Sequence, residues 1–412
     1  MNTENLPVAA SGRKLNVLVV PSWYPTVVKP LLGTFMEEQT LLMEQSCDVR
    51  VLMGRVEHVG RRKFVRSGAG YLQPLHYQLA PEAIKPPSRG IHFIYPVMHG
   101  IRENKNTQWR EDAFNRAYDE LTSDGWQPDI IHAHCTLMGG VAANALSKRL
   151  QVPYVITENL LFILAHETLE IQRQAMQAVR EVDAFLAVST DKLRQVLLHH
   201  IDCNAYIVGN MVDDTSFYLP AAKPAKPYFS LLTVAGASFQ KDLITLFKTI
   251  REVVAQGHTD IRLRLVGLGT YGGEGNVFRQ AIADLGISEY VNVEDSVPRD
   301  QMINLYHEAD TLIMSSISEG LSISILEAMA CGLPVISTIH GGSEDVITPE
   351  NGVLTPIRDY RGLAAAVIDV KTGVRKYDPA RIRELVVSNY GKRVFHGRIL
   401  GIYQEVIAGR KS

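Results

Sequence analysis

Short apolar runs bounded by turn residues alternate along this chain with stretches of helical periodicity. That alternation leaves few folds open: it is the signature of β-α-β units stacked into parallel sheets. In the N-terminal half, strands are expected at Leu15–Val20, Val49–Met53, Asp129–Ala133, Tyr154–Thr157 and Ala184–Val188, with helical patterns at Thr34–Glu44, Asn106–Thr122 and Gly139–Leu150. In the C-terminal half, strands are expected at Phe229–Val234, Arg262–Val266, Val291–Val293, Thr311–Met314 and Pro334–Ser337. The helical patterns there are Leu243–Gln256 and Ser322–Ala330. A chain of 412 residues exceeds one ordinary domain.

The break falls at Tyr218–Tyr228, where Pro220, Pro224 and Pro227 alternate with Lys223 and Lys226. Proline stiffens the backbone and removes donors, so this segment reads as a linker. The expected organisation is an N-terminal domain over 1–217, a linker over 218–228 and a C-terminal domain over 229–385. A closing helical stretch over 386–412 is free to pack back on the first domain. The fold class is α/β, two doubly wound Rossmann-like domains. Ligands in such sheets sit beyond the carboxyl ends of the strands, which predicts an interdomain cleft.

Composition narrows the function. Hydrophobic residues make up 46% and charged residues 21% of the chain, enough for sizeable cores. The net charge of −2 offers nucleic acid no general attraction. Cys47, Cys135, Cys203 and Cys331 are scattered and form no C-x-x-C pair, which suits a reducing cytosol better than a disulfide framework or a zinc site. The polar start, MNTENLPVAASGRK, lacks an apolar signal core, and no apolar run approaches the roughly 18–20 residues that span a bilayer. The expectation is therefore a cytoplasmic protein, with peripheral attachment at the inner face of the cell membrane left open. The stretch Arg55–Gly90, with Arg61, Arg62, Lys63, Arg66, Lys85 and Arg89, bears on that attachment. It reads as a solvated loop or, alternatively, as a membrane or acidic-acceptor patch.

The most informative segment is Ser315–Thr338, SSISEGLSISILEAMACGLPVIST. A buried strand ends near Met314, a turn of small residues follows, a helix begins near Ser322, and Gly332 with Pro334 stops it. The amides of Gly320, Leu321 and Ser322 then sit at the positive end of a helix dipole, a phosphate-binding position. Glu319 and Glu327 bracket it, about 7.5 Å of helix rise from Ser322 to Glu327. One carboxylate would face a donor sugar and the other ribose hydroxyls. Taken alone, the same two residues read as a cap and an exposed helix residue.

These motifs, in this order, resemble the retaining glycosyltransferases of family four. The run from Glu319 to Glu327 is similar to that family's E-x7-E signature. Pro21-Ser-Trp-Tyr-Pro25, Gly33-Thr-Phe35 and Glu38-Gln39 resemble its opening strand and donor-facing glycine loop. Asp129–His134, Gly139–Ala143 and Val152–Glu158 resemble its first-domain pattern. Ile207–Phe217 resembles its N-x-V-D motif, and Lys241-Asp242, Thr245-Leu246 and Gly341-Gly342 also match. The resemblance implies a GT-B fold, retention of anomeric configuration, no metal and no cofactor, and a UDP- or GDP-sugar donor. Its acceptor would be a saccharide or lipid-linked oligosaccharide, as in surface polysaccharide biosynthesis.

Other residues acquire roles from it. Lys241 would neutralise the leaving diphosphate, although the arginine that the family often carries a few residues earlier is absent from Ala235–Gln240. His134 would contact the transferred sugar, and His132 and Glu158 lie on the acceptor side. His-x-His also invites a metal reading, but no carboxylate or cysteine cluster stands at ligand spacing. Gly33 allows close backbone approach to phosphate, or serves a simple turn. Asn210 and Asp213 would fix the turn between domains, and Asp295–Pro298 would offer backbone contacts to the base. Gly267-Leu-Gly269-Thr-Tyr-Gly272 matches G-x-G-x-x-G after a strand, so an NAD-dependent oxidoreductase is a rival. Gly273 and Gly275 delay the helix that such a site needs, which favours a loop beside a nucleotide-sugar pocket with Gly267 in it. A nucleotide-sugar-binding protein that has lost chemistry is the remaining alternative.

Overall fold

The computed structural model describes residues 13–59, 77–98, 103–160, 162, 164–269 and 275–410. The chain divides into two compact units. The first runs to Val188 and adds Lys192–Val208 and the segment from His396 onward; the second comprises Ser189–Asp191 and Gly209–Phe395.

The first unit holds an eight-stranded sheet built from β1 (Leu15–Pro21), β2 (Cys47–His58), β3 (Gln78–Leu79), β4 (Gly90–Val97), β5 (Ile130–His134), β6 (Tyr154–Glu158), β7 (Ala184–Ala187) and β8 (Ala205–Ile207). Its order is β3-β4-β2-β1-β5-β6-β7-β8. Every pairing is parallel except β3 with β4. Strands β5 and β6 are buried at every position, as a parallel sheet covered on both faces requires. Leu18, Phe93, Phe114, Ile131, Ile156 and Phe185 belong to one continuous core. Each such side chain contributes roughly 1.5–3 kcal/mol on burial.

The second unit holds a six-stranded, wholly parallel sheet from β9 (Phe229–Val234), β10 (Ile261–Val266), β11 (Val291–Glu294), β12 (Thr311–Met314), β13 (Val335–Thr338) and β14 (Gly352–Thr355). Its order is β11-β10-β9-β12-β13-β14. Leu231, Phe247, Ile250, Leu263, Ile313 and Ile336 share its core. In both sheets the order reverses next to the first strand, between β1 and β5 and between β9 and β12. Connections leave such neighbours in opposite directions, which opens a crevice beyond their carboxyl ends.

Several expectations shift on the structure. The helix expected from Gly139 begins at Val141, because Thr136–Gly140 forms an irregular turn with Cys135 and Met138 at φ of 65° and 67°. Ser22 Oγ accepts from the Gly139 amide at 3.1 Å, and Glu158 Oε2 accepts from the Thr136 amide at 2.8 Å. The stretch expected as a loop from Arg55 instead continues β2 to His58, paired with β4. Its described cations are already engaged: Arg55 with Glu82 at 3.0 Å, Lys85 with Glu37 at 2.8 Å, and Arg89 with Asp48. Arg61, Arg62, Lys63 and Arg66 lie outside the described residues.

The proline-rich segment is tied to the second unit. Lys223 donates to Ala309 O at 3.0 Å, and a ring nitrogen of His307 meets Tyr218 O at 2.7 Å. The closing helix, Lys392–Gly409, contributes Tyr403 and Glu405 to the first unit, where they meet His132 and Tyr206. No helix among the described residues is long and apolar enough to cross a membrane.

Candidate active site

In the second unit the loops after β9 and β12 are stitched together at the reversal of strand order. Ser315 Oγ lies 3.0 Å from Lys241 O and 2.9 Å from Asp242 O, and the Ile317 amide donates to Gln240 O at 2.7 Å. This brings Lys241 Nζ to 2.9 Å from Glu319 Oε2, with both side chains partly open to solvent. Ser316 Oγ donates to the other Glu319 oxygen, and the Glu319 amide donates to His340 O at 3.1 Å. Burial pushes the Glu319 carboxyl up, but Lys241, His340 and Ser316 together outweigh it and hold the group below its ordinary value. It is a carboxylate at neutral pH.

The helix expected near Ser322 runs Ile323–Ala330, with extended Ser322 at its N-cap. Ser322 Oγ meets Ser324 Oγ at 2.9 Å rather than capping the helix, so its hydroxyl leaves the first-turn amides uncovered. The Gly320–Ser322 loop is held from two sides. Asn210 Nδ2 donates to Leu321 O at 2.6 Å, and Gly342 packs so closely that a Cβ there would stand 1.5 Å from Gly320 O. Only glycine fits at 342.

Glu327 faces inward. It is 2% exposed, Arg299 donates to Oε1, and Tyr306 donates to Oε2 at 2.7 Å. Read alone as a helix residue it would be exposed; the structure corrects that, because Glu327 sits on the core face of a helix buried along most of its length. Arg299 also lies over the Phe217 ring at 4.9 Å. Arg299, Tyr306 and His340 carry no local sequence signal for this site, since the sheet brings them there, whereas Ser316 lies three residues before Glu319 in the same turn. Asp213 accepts from Lys392 at 2.6 Å and from Thr215 and Ser216. Burial opposes its ionisation, but these donors prevail and its pKa falls to about 2.

In the first unit, the spacing of His132 and His134 does place both on one face of β5, their rings stacked at 4.5 Å. His132 is occupied on both nitrogens, Nδ1 by Tyr403 at 2.6 Å and Nε2 by Thr157 at 2.7 Å. His134 is 2% exposed. Burial drives its pKa down to about 4, opposed by the interaction of its ring N–H with the Asn159 side chain, so it is neutral at pH 7. Glu158 is equally buried and accepts from the Thr136 and Leu160 amides at 2.8 and 3.0 Å. Burial raises its pKa, while these bonds restrain the rise. Gly33 caps the helix Thr34–Met43 at φ 81°, where a Cβ would meet Trp23 Cδ1 at 2.9 Å.

Gly267 follows β10 at φ 106°, its amide donating to Glu294 O at 2.9 Å, whereas residues 270–274 lie outside the described set. Asp295 packs on Gly269 and accepts from Arg279 at 2.6 Å. A cavity of about 520 Å³ lies at the amino ends of β9 and β10, lined by Tyr228, Arg262, Arg264, Asn292 and Glu308. It is not where Lys241 meets Glu319. Among the described residues no group of three or more His, Cys, Asp or Glu is placed to hold a metal ion.

Residues 219–380 match the family described as Glycosyl transferases group 1, and residues 70–216 match Glycosyltransferase Family 4. The chain belongs to these glycosyltransferases. Membership leaves no place for the rival oxidoreductase reading of the 267–272 glycines. A WcaL protein of Salmonella typhimurium, named as a colanic acid biosynthesis glycosyltransferase, is 25% identical over 257 residues, 59% of this chain and 61% of that protein. Glycogen synthase of Mycobacterium tuberculosis is 28% identical over 265 residues, 60% of this chain and 61% of that enzyme. The matches thus span about 60% of these relatives' length. Sucrose-phosphate synthase from Thermosynechococcus elongatus superposes with a TM-score of 0.69 at 17% identity, covering 96% of this chain and 100% of that one. Anabaena HepE in complex with UDP superposes at 0.65 with 14% identity, covering 94% and 99%. The fold is GT-B.

Proposed function

We propose that this glycosyltransferase moves a hexosyl unit, with retention, from a UDP- or GDP-sugar to a saccharide or lipid-linked acceptor in surface polysaccharide synthesis. The observation that carries the reading is the Lys241–Glu319 pair, 2.9 Å apart beside the uncapped start of the helix Ile323–Ala330. An ammonium group and backbone amides beside a sheet's reversal of strand order suit a diphosphate. As the bond from sugar to phosphate breaks, charge grows on the leaving oxygen, and Lys241 with the amides of Gly320, Leu321 and Ser322 would stabilise it. Glu319, already paired with an ammonium and a hydroxyl, is a poor nucleophile and a good acceptor for sugar hydroxyls, so its role would be to position the donor sugar. Glu327 would accept from the ribose hydroxyls.

His134, buried and neutral, would meet the transferred sugar from the first unit, with Gly33 near the phosphates and His132 and Glu158 shaping the acceptor side. The WcaL relative's name supports the polysaccharide setting, and HepE's bound UDP supports the donor class. Any peripheral contact with an anionic membrane would draw on Arg61, Arg62, Lys63 and Arg66, since Arg55, Lys85 and Arg89 already meet carboxylates.

A thermal-shift panel of UDP- and GDP-sugars tests the reading, because a ligand of the native state raises apparent stability. At least one nucleotide sugar should stabilise the protein, and incubation with saccharide acceptors should release the nucleoside diphosphate. Stabilisation by NAD alone would defeat the proposal. Binding without transfer or slow donor hydrolysis would turn it into a nucleotide-sugar-binding protein, a reading motivated by the absence of a cation in Ala235–Gln240.

A further inference from the structure

A transferring enzyme of this kind must hold a multiply charged leaving group, and Ala235–Gln240 supplies no cation beside Lys241. His340 stands next to the same pair. It follows β13, its backbone oxygen accepts the Glu319 amide at 3.1 Å, and its ring lies within electrostatic reach of Glu319, Glu344 and Lys241. The side chain is 2% exposed. The Gly342 amide approaches Nδ1 at 3.5 Å. A ring nitrogen that accepts from an N–H carries no proton, so in the neutral imidazole the proton sits on Nε2. That Nε2–H is buried and has no hydrogen-bond acceptor among the described residues. A buried donor left unmet destabilises the fold unless something outside the chain accepts from it.

The ring is also fixed in place. Ser343 Oγ accepts the His340 amide at 3.3 Å and donates to Thr338 O at 2.8 Å, while Gly342 packs against Gly320 and Leu321. The imidazole therefore belongs to the same rigid loop cluster as the amides of residues 320–322.

We infer that His340 is a further catalytic residue, whose Nε2–H donates to an oxygen of the donor's β-phosphate and so stands in for the cation missing from Ala235–Gln240. This rests on the donor-site reading above and adds a residue to it. A neutral donor with no acceptor of its own complements an anion, whereas the sugar hydroxyls already have the Glu319 carboxylate to bind. On bond cleavage the phosphate oxygen gains charge, and the contact strengthens without a proton changing hands.

The test compares nucleotide affinities, because only a diphosphate presents the β-phosphate. Wild type, His340→Ala, His340→Gln and Lys241→Ala are titrated with UDP, GDP, UMP and GMP by calorimetry, with thermal unfolding confirming that each variant is folded. We expect His340→Ala to weaken the preferred diphosphate at least about fivefold and to leave the matching monophosphate unchanged. His340→Gln, which restores an N–H donor at similar reach, should recover most of the loss. If His340→Ala does not fold, His340→Met takes its place, filling a similar volume with a side chain that has no N–H donor. Unchanged diphosphate affinity overturns the inference, as does an equal loss for monophosphate and diphosphate. Should wild type bind none of the four nucleotides, the donor-site reading itself falls and this inference with it. Binding by wild type that Lys241→Ala alone weakens leaves the donor site standing and removes only His340.

Discussion

Lys241 Nζ and Glu319 Oε2 stand 2.9 Å apart because β9 and β12 are neighbours in the sheet, although β10 and β11 separate them in the chain. The ammonium that would receive a diphosphate is thus already held by a carboxylate, and the two compete. Removing Glu319 should free Lys241. Glu319→Ala is expected to lower turnover at least about tenfold, about 1.4 kcal/mol in the barrier, while affinity for UDP or GDP stays level or tightens. Lys241→Ala should lower both. Steady-state kinetics beside calorimetry separates the two patterns, and near-wild-type turnover in both variants would remove the pair from the mechanism.

The buried carboxylate of Glu327 gives a stability prediction. Glu327→Ala takes an acceptor from both Arg299 and Tyr306, and leaving a buried donor such as the Tyr306 hydroxyl unmet costs about 1–3 kcal/mol. Tyr306→Phe removes one donor and should cost about 1 kcal/mol. Urea denaturation reads both. A loss under 1 kcal/mol for Glu327→Ala would show that the site tolerates an empty carboxylate position.

Gly342 tests the loop directly. A Cβ built there would lie 1.5 Å from Gly320 O and 2.9 Å from the Leu321 amide nitrogen, both backbone atoms that cannot swing aside. Gly342→Ala should displace the loop over residues 320–322. Diphosphate affinity is expected to fall at least about tenfold, and the melting temperature should fall as well. Unchanged affinity would separate that loop from nucleotide binding.

Acid should weaken the first unit through His134. Its folded pKa of about 4 lies below the ordinary value of 6.5, chiefly because burial disfavours the imidazolium. The unfolded chain takes up the proton first. The stabilising contribution is therefore complete above pH 6.5 and is lost as pH falls toward 4, by up to about 3 kcal/mol. His134→Phe should show a shallower fall of stability across that window than wild type, measured by denaturant unfolding at several pH values. Other groups titrate in both proteins, so the difference in slope reports His134. Equal slopes would contradict the assignment.

Much of the fold was legible along the chain because a parallel sheet writes itself as short apolar runs. Phe229–Val234 and Thr311–Met314 appear in the structure with the bounds read from sequence, and Tyr154–Thr157 gains only Glu158. Elements with weaker local patterns escaped notice: β3 has two residues, β8 three, and β14 opens on a glycine. The helices Leu169–Arg180 and Tyr360–Lys371 were also missed, although Thr168 and Asp359 cap them with their side chains.

The sequence by itself determined the residue types at the site: a lysine after one strand, a glutamate before a helix, and small residues whose amides stay accessible. Local chemistry suffices there, since turn residues and helix starts act on their immediate neighbours. Only the tertiary structure decided who meets whom. That Glu319 pairs with Lys241, that Glu327 turns inward to Arg299 and Tyr306, and that His340 lies against the Glu319 amide all depend on the order β11-β10-β9-β12-β13-β14. Hydrogen bonds and ion pairs act over a few ångströms of space, and the distance along the chain between such partners leaves no periodic trace for a sequence to show.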